Sequence, residues 1–214
     1  MEKKKAEGIV MIILDCDQGT EEWLRLRRGV PSASRFDKII TTTGKPSAQS
    51  EGYFNELLAE RWTRKSTTFH VTDAMARGTE LEPEAKIFYE LFCNVDVIEC
   101  GFVLHSNRHF GCSPDGLVGQ KGLEIKCPAA KTHVQYLRDG KLPTKYIQQV
   151  QGCMLVTGFT CWDFLSYHPD LPPLLVTVER DEKLIGALEN ELDVFCSNLV
   201  SEIERLGDAA KTKT

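Results

Sequence analysis

No Cys-x-x-Cys pair occurs in this chain, although it carries eight cysteines. That absence removes zinc-ribbon and thioredoxin-type readings. Each cysteine sits singly within an apolar segment and reads as a buried, reduced thiol. No apolar run approaches the ~20 residues that cross a bilayer. The stretch IVMIIL at 9–14 follows three lysines, but it is too short for the core of a secretion signal and lacks a small-residue cleavage pattern. It reads as a first strand, and a cytoplasmic protein without membrane contact is expected. Internal repeats, low-complexity blocks and interdomain linkers are missing as well.

An overall excess of positive charge is also lacking. The chain has 26 Lys and Arg against 31 Asp and Glu, a net charge of −5. The sum conceals a distribution. Residues 179–206 hold eight acids and three bases, and 71–100 hold seven and two, whereas 20–70 hold nine bases and six acids and 105–151 seven and three. Such a chain can present a basic surface to a polyanion while staying acidic elsewhere.

What is present suits one α/β domain spanning residues 1–214, with flexible tails at about 1–8 and 208–214. Helical periodicity appears in TEEWLRLRRG, with Thr20 as N-cap and Gly29 at the end, then in PSASRFDKII, YFNELLAERWTRK and about 73–93, where Pro83 interrupts. From 95 the period changes. VDVIECGFVLH, FGCSPDGLV and GLEIKCP alternate as strands, followed by helices at 131–139 and PTKYIQQVQGCMLVTG, strands TCWDFLSYH and LLVTVER, and a long helix from about 181. The architecture expected is a central mixed β-sheet flanked by helices.

The chemistry concentrates in CSPDGLVGQKGLEIKC at 112–127. A turn centred between Gln120 and Lys121 sets Asp115 opposite Lys126 and Leu117 opposite Glu124. Asp115, Glu124 and Lys126 then share one face and Ile125 points to the other. Two neighbouring carboxylates repel unless one is protonated or a cation lies between them. Hard oxygen ligands suit Mg²⁺ or Mn²⁺, and an adjacent ammonium can orient a water or stabilise charge on a transferring phosphate. A plain Asp115–Lys126 salt bridge is the simpler alternative.

Ser113-Pro114-Asp115-Gly116 followed by Leu123-Glu124-Ile125-Lys126-Cys127-Pro128 resembles the PD-(D/E)xK nuclease signature, and more narrowly the phage lambda exonuclease and YqaJ-like viral recombinase family. WLRLRRGVPSAS (23–34), GTELEPEA (78–85) and YIQQVQGCMLVTG (146–158) resemble three further elements of that family, in the same order. The resemblance implies a PD-(D/E)xK (restriction-endonuclease-like) core. It implies that Asp115 and Glu124 hold metal, with the Ile125 carbonyl and Glu82 as further ligands. It also makes Lys126 the catalytic lysine and Gln149 its partner or that of the attacking water. Arg27 and Ser34 would bind a 5′-terminal phosphate, with Arg28 competing for Arg27's place, and Met75 would be a strand-separating wedge or an ordinary core residue.

The implied activity is a processive 5′→3′ exonuclease that uses two Mg²⁺ ions per site, with Mn²⁺ able to substitute. It digests one strand of linear double-stranded DNA and leaves a 3′ overhang. A homotrimeric ring and a single-strand annealing protein as partner are implied too. Two other readings stand beside it: an endonuclease of another PD-(D/E)xK subfamily, and a non-catalytic zinc or DNA-binding module built on Cys100, His105, His109 and Cys112.

Overall fold

The computed structural model describes residues 5–6, 9–66, 73–107 and 109–211, with side chains placed for 11–66, 76–107 and 109–206. The expected flexible tails fall largely outside that set, as does the side chain of Met75.

In chain order the strands are β1 (Lys5–Ala6), β2 (Ile9–Val10), β3 (Ile12–Leu14), β4 (Phe102–Leu104), β5 (Gly111–Cys112), β6 (Gly116–Val118), β7 (Lys121–Lys126), β8 (Cys161–Ser166) and β9 (Leu174–Glu179). The α-helices are α1 (Glu21–Arg27), α2 (Ser50–Thr63), α3 (Asp73–Cys93), α4 (Ala130–Asp139), α5 (Ile147–Thr157) and α6 (Glu182–Lys211). The mixed sheet β6-β7-β8-β9 carries the chemistry. Its β7–β8 pair is parallel, bridged by α4 and α5, and its outer pairs are antiparallel. The central mixed sheet expected from the sequence is thus present, with a separate β3-β4-β5 sheet and a small β1-β2 pair beside it.

Local sequence explains the elements and their departures from expectation. Thr20 caps α1, its hydroxyl accepting from the Trp23 N–H at 3.3 Å. Residues 33–38 wind as a 3₁₀ turn, Ala33–Lys38, tight against α5. A Cβ at Gly152 of α5 would stand 2.3 Å from the Phe36 ring, so only glycine admits this approach. Residues 95–101 do not extend as a strand: Gly101 lies where a Cβ would meet the Cys16 carbonyl at 2.2 Å, and Ile98 makes a single bridge to Leu117.

Two apolar clusters sandwich β7. Leu123, Ile125 and Cys127 pack with Leu165 against Ala85 and Tyr89 of α3. On the other side, α5 buries Val150, Cys153 and Met154 in the larger core with α2 and α6. No helix among the described residues is long and apolar enough to cross a membrane.

Candidate active site

The β6–β7 hairpin turns at Gly119–Gln120, where Gly119 takes φ +60° at the leading turn position. The observed pairs are Gly116 with Leu123, Leu117 with Gly122 and Val118 with Lys121. The register expected from the sequence is therefore displaced by two residues, because the turn begins at Gly119 rather than straddling Gln120 and Lys121. A displacement of two preserves the pleat. Asp115, at a bend just before β6, donates its N–H to Leu123 O at 3.1 Å, the carbonyl of the residue already paired with Gly116. Asp115, Glu124 and Lys126 nevertheless converge closely enough for the charge of each to act on the others.

Asp115 Oδ2 accepts the Ile125 N–H at 2.6 Å, which brings the Ile125 main chain beside this carboxylate. Glu124, 1% exposed, is gripped at Oε1 by the Lys126 ammonium and by Gln149 Nε2 at 2.5 Å. Its other oxygen, Oε2, is buried and has no hydrogen-bond partner. The simple Asp115–Lys126 bridge is thus replaced by a Lys126–Glu124 pair. Burial pushes the Glu124 carboxyl up to about 7, against the pull of Lys126 and with further upward push from Asp115. Asp115 is raised by burial too. Burial alone would lower the Lys126 ammonium, but Glu124 and Asp115 outweigh it and raise it well above its ordinary value. The ammonium also lies 5.5 Å from the Tyr146 ring centroid.

Glu82 stands differently. Its helix α3 covers the Leu123–Ile125 face of β7, opposite to the face of Glu124. Glu82, at the end of that contact, reaches Asp115 and lines with it, Asp15, Asp17 and Lys86 a cavity of about 310 Å³. Its carboxyl is raised by burial and then by the Asp115 charge. Among the described residues, no three His, Cys, Asp or Glu side chains close into a metal-holding group. The same holds for the zinc alternative: His105 stacks on Phe110 at 4.6 Å and Cys112 is buried. The residues present nevertheless fit a hard divalent cation. Two carboxylates lifted by burial, one with a free buried oxygen, and an adjacent main-chain segment make an all-oxygen donor set.

A second cavity, of about 450 Å³, lies around Arg27. The i, i+4 spacing of Trp23 and Arg27 on α1 lays the guanidinium 3.9 Å from the indole centroid. Arg27 Nη2 donates to Ser32 Oγ at 3.0 Å and more distantly to Ser34 Oγ at 3.5 Å. Burial lowers its pKa. Among the described residues no carboxylate forms an ion pair with Arg27: Glu56 is bound by Arg35, and Glu60 accepts the Gly29 N–H at 2.8 Å. Arg28 turns instead to Ser66 Oγ at 3.3 Å. The indole N–H of Trp23 donates to Ser113 Oγ at 2.9 Å, which ties this cavity to the strand segment that carries Asp115. Trp23, Ser32 and Tyr146 lie inside the quoted motifs yet received no role from the sequence. The W-x-x-x-R spacing was the available signal for Trp23.

A mixed sheet whose hairpin brings Asp115 and Glu-x-Lys together, with a glutamine helix over it, is the core of a PD-(D/E)xK nuclease. Residues 22–160 match the YqaJ-like viral recombinase domain, and the chain belongs to that family. It is similar to the alkaline exonuclease of Laribacter hongkongensis, with 38% identity over 91% of this chain and 100% of that one and a TM-score of 0.82. The structure of that enzyme in complex with dAMP matches at a TM-score of 0.81 with the same identity and coverage. A phage-related exonuclease from Haemophilus somnus shares the fold, at 17% identity over 81% of this chain and 96% of that one, TM-score 0.60. No curated protein sequence matches the chain.

Proposed function

We propose that this nuclease is a divalent-metal-dependent 5′→3′ exonuclease. It would digest one strand of linear double-stranded DNA processively and leave a 3′ overhang for recombination by strand annealing. The observation that carries the reading is the presence of two linked sites: an acidic centre with a lysine, and a separate cavity in which Arg27 lies on the Trp23 indole beside two serine hydroxyls. Kinship to an alkaline exonuclease, itself captured with dAMP, supports it.

Asp115, Glu124 and the Ile125 carbonyl would hold Mg²⁺, one or two ions, with Glu82 added from α3 and Mn²⁺ able to substitute. A cation bound there supplies Lewis acidity toward the scissile phosphate. Lys126, kept charged by its neighbours, donates to the attacking water or to the phosphate oxygen on which charge grows. Gln149 holds Glu124 in place and shares with Lys126 the task of orienting the water. Arg27 offers a planar fork to a 5′-terminal phosphate, with Ser32 and Ser34 hydroxyls beside it. Met75 remains the proposed wedge.

The same reading includes a homotrimeric ring, for which exposed Ile87, Leu91 and Phe92 on α3 offer apolar surface, and a single-strand annealing protein as partner. End-labelled linear duplex and relaxed circular duplex, each incubated with Mg²⁺ and sized over time, test the central claim. Loss of label from the 5′ end of linear DNA alone is expected; equal attack on circles would replace the exonuclease with an endonuclease.

A further inference from the structure

Helix α3 carries Glu82 to the cavity it shares with Asp115, so the position of that helix decides where the carboxylate stands. Its inward face repeats at Glu82, Ala85, Tyr89 and Cys93, the spacing of successive helical turns. Ala85 is fully buried and lets the helix approach β7 closely. Tyr89, two turns beyond Glu82, is also buried, and its hydroxyl donates to Asp163 Oδ2 at 2.7 Å. Asp163 sits on β8, 2% exposed, where a carboxylate is costly unless it is fully engaged. It is engaged: Lys121 at the start of β7 bridges Oδ2 at 2.5 Å, and Thr177 Oγ1 of β9 donates to Oδ1 at 2.6 Å.

One buried carboxylate thereby joins α3, β7 and β9. The strand reached through Lys121 is the strand that carries Glu124, Ile125 and Lys126. Other polar ties of α3 lie nearer solvent, among them Glu84 to Tyr167, Lys86 to Glu99 and the Val97 N–H to Glu90. Pro83, inside the helix immediately after Glu82, has no N–H to give, so the turn around Glu82 lacks one of its own backbone bonds. A locally loosened turn takes its position from the anchored turns that follow it.

We infer that Tyr89 is a positioning residue for the metal centre, acting through its hydrogen bond to Asp163 to set Glu82 against Asp115. The inference rests on the proposed metal role of Glu82 and goes beyond it, since Tyr89 touches neither cation nor DNA. Removing the hydroxyl leaves Asp163 with Lys121 and Thr177, so Tyr89→Phe keeps the ring in its pocket and the fold intact.

Mn²⁺ binding by titration calorimetry, without DNA, reads this directly. Tyr89→Phe should weaken Mn²⁺ binding about tenfold, at the lower end of what outer partners of metal ligands contribute. Thr177→Val, which removes a different hydrogen bond from the same carboxylate, should leave Mn²⁺ affinity unchanged even where the melting temperature falls. In a Glu82→Gln background Tyr89→Phe should cost no further affinity, because the residue it positions is gone. Equal Mn²⁺ affinity in Tyr89→Phe and the parent protein would overturn the inference while leaving the metal site standing. So would an equal loss in Thr177→Val, or an undiminished Tyr89→Phe effect without Glu82. A parent protein that binds no Mn²⁺ would remove both the inference and the metal reading beneath it.

Discussion

Gln149 and Lys126 converge on a single oxygen of Glu124, Oε1, and leave Oε2 buried without a partner. On the proposed reading, that second oxygen is the one offered to a divalent cation. Burial pushes the pKa of this carboxyl from its ordinary 4.5 up to about 7.

The pH dependence follows from that shift. A carboxyl whose folded pKa is raised favours the fold while protonated, and its contribution is lost as pH rises from about 4.5 through about 7. A cation must displace the proton below that range and meets a carboxylate above it. The rise in melting temperature caused by Mg²⁺ should be larger at pH 8 than at pH 6. Thermal melts at both pH values, with and without Mg²⁺, check this; a larger effect at pH 6 would contradict it.

Neighbouring glutamines should separate chemistry from stability. Gln149→Ala and Lys126→Ala are expected to slow turnover, the lysine change by about 10²-fold or more, while duplex binding persists. Gln148, buried and donating to Ile40 O at 3.2 Å, belongs to the core. Gln148→Ala should cost about 1–2 kcal/mol of stability and leave the chemical step unchanged. Single-turnover rates measured beside denaturant melts distinguish the two classes.

Adjacent arginines should behave unlike one another. Arg27→Ala is expected to abolish a preference for 5′-phosphorylated over 5′-hydroxyl ends, and Arg28→Ala to retain it, because Arg28 is committed to Ser66. Degradation rates on the two duplexes measure the ratio. Preference lost in Arg28→Ala alone would move the phosphate site by one residue.

Packing supplies a prediction independent of function. Gly152→Ala places a methyl group 2.3 Å from the Phe36 ring at the contact of α5 with the 33–38 turn. About 1–3 kcal/mol of destabilisation is expected from such overpacking, read as a lower denaturant midpoint. An unchanged midpoint would show that Phe36 can yield.

Much of the hairpin was legible because strand parity depends only on a period of two. Glu124 and Lys126 share a face wherever the turn falls, and an error of two residues in the turn leaves the parity of the facing strand unchanged. The register itself was not legible, since either glycine could lead the turn and only one adopts positive φ. The same limit applies to Glu82. Its helix is plain from periodicity, but which face of β7 a helix covers is decided by tertiary packing, here by Ala85 and Tyr89 against Leu123 and Ile125. Residues 95–101 alternate as a strand should, yet close backbone contact at Gly101 and a Val97 N–H taken by Glu90 Oε1 divert them. The long strand expected there shrinks to Phe102–Leu104.

On the proposed reading, the setting of Arg27 has a practical corollary. A desolvated guanidinium lying on an indole and flanked by hydroxyls will accept whatever tetrahedral anion reaches it first. Inorganic phosphate or sulfate in an assay buffer would then occupy the berth of a DNA terminus, and initiation would slow as the buffer concentration rose. If Arg27 receives the DNA terminus, the buffer anion acts as a hidden competitive inhibitor of initiation.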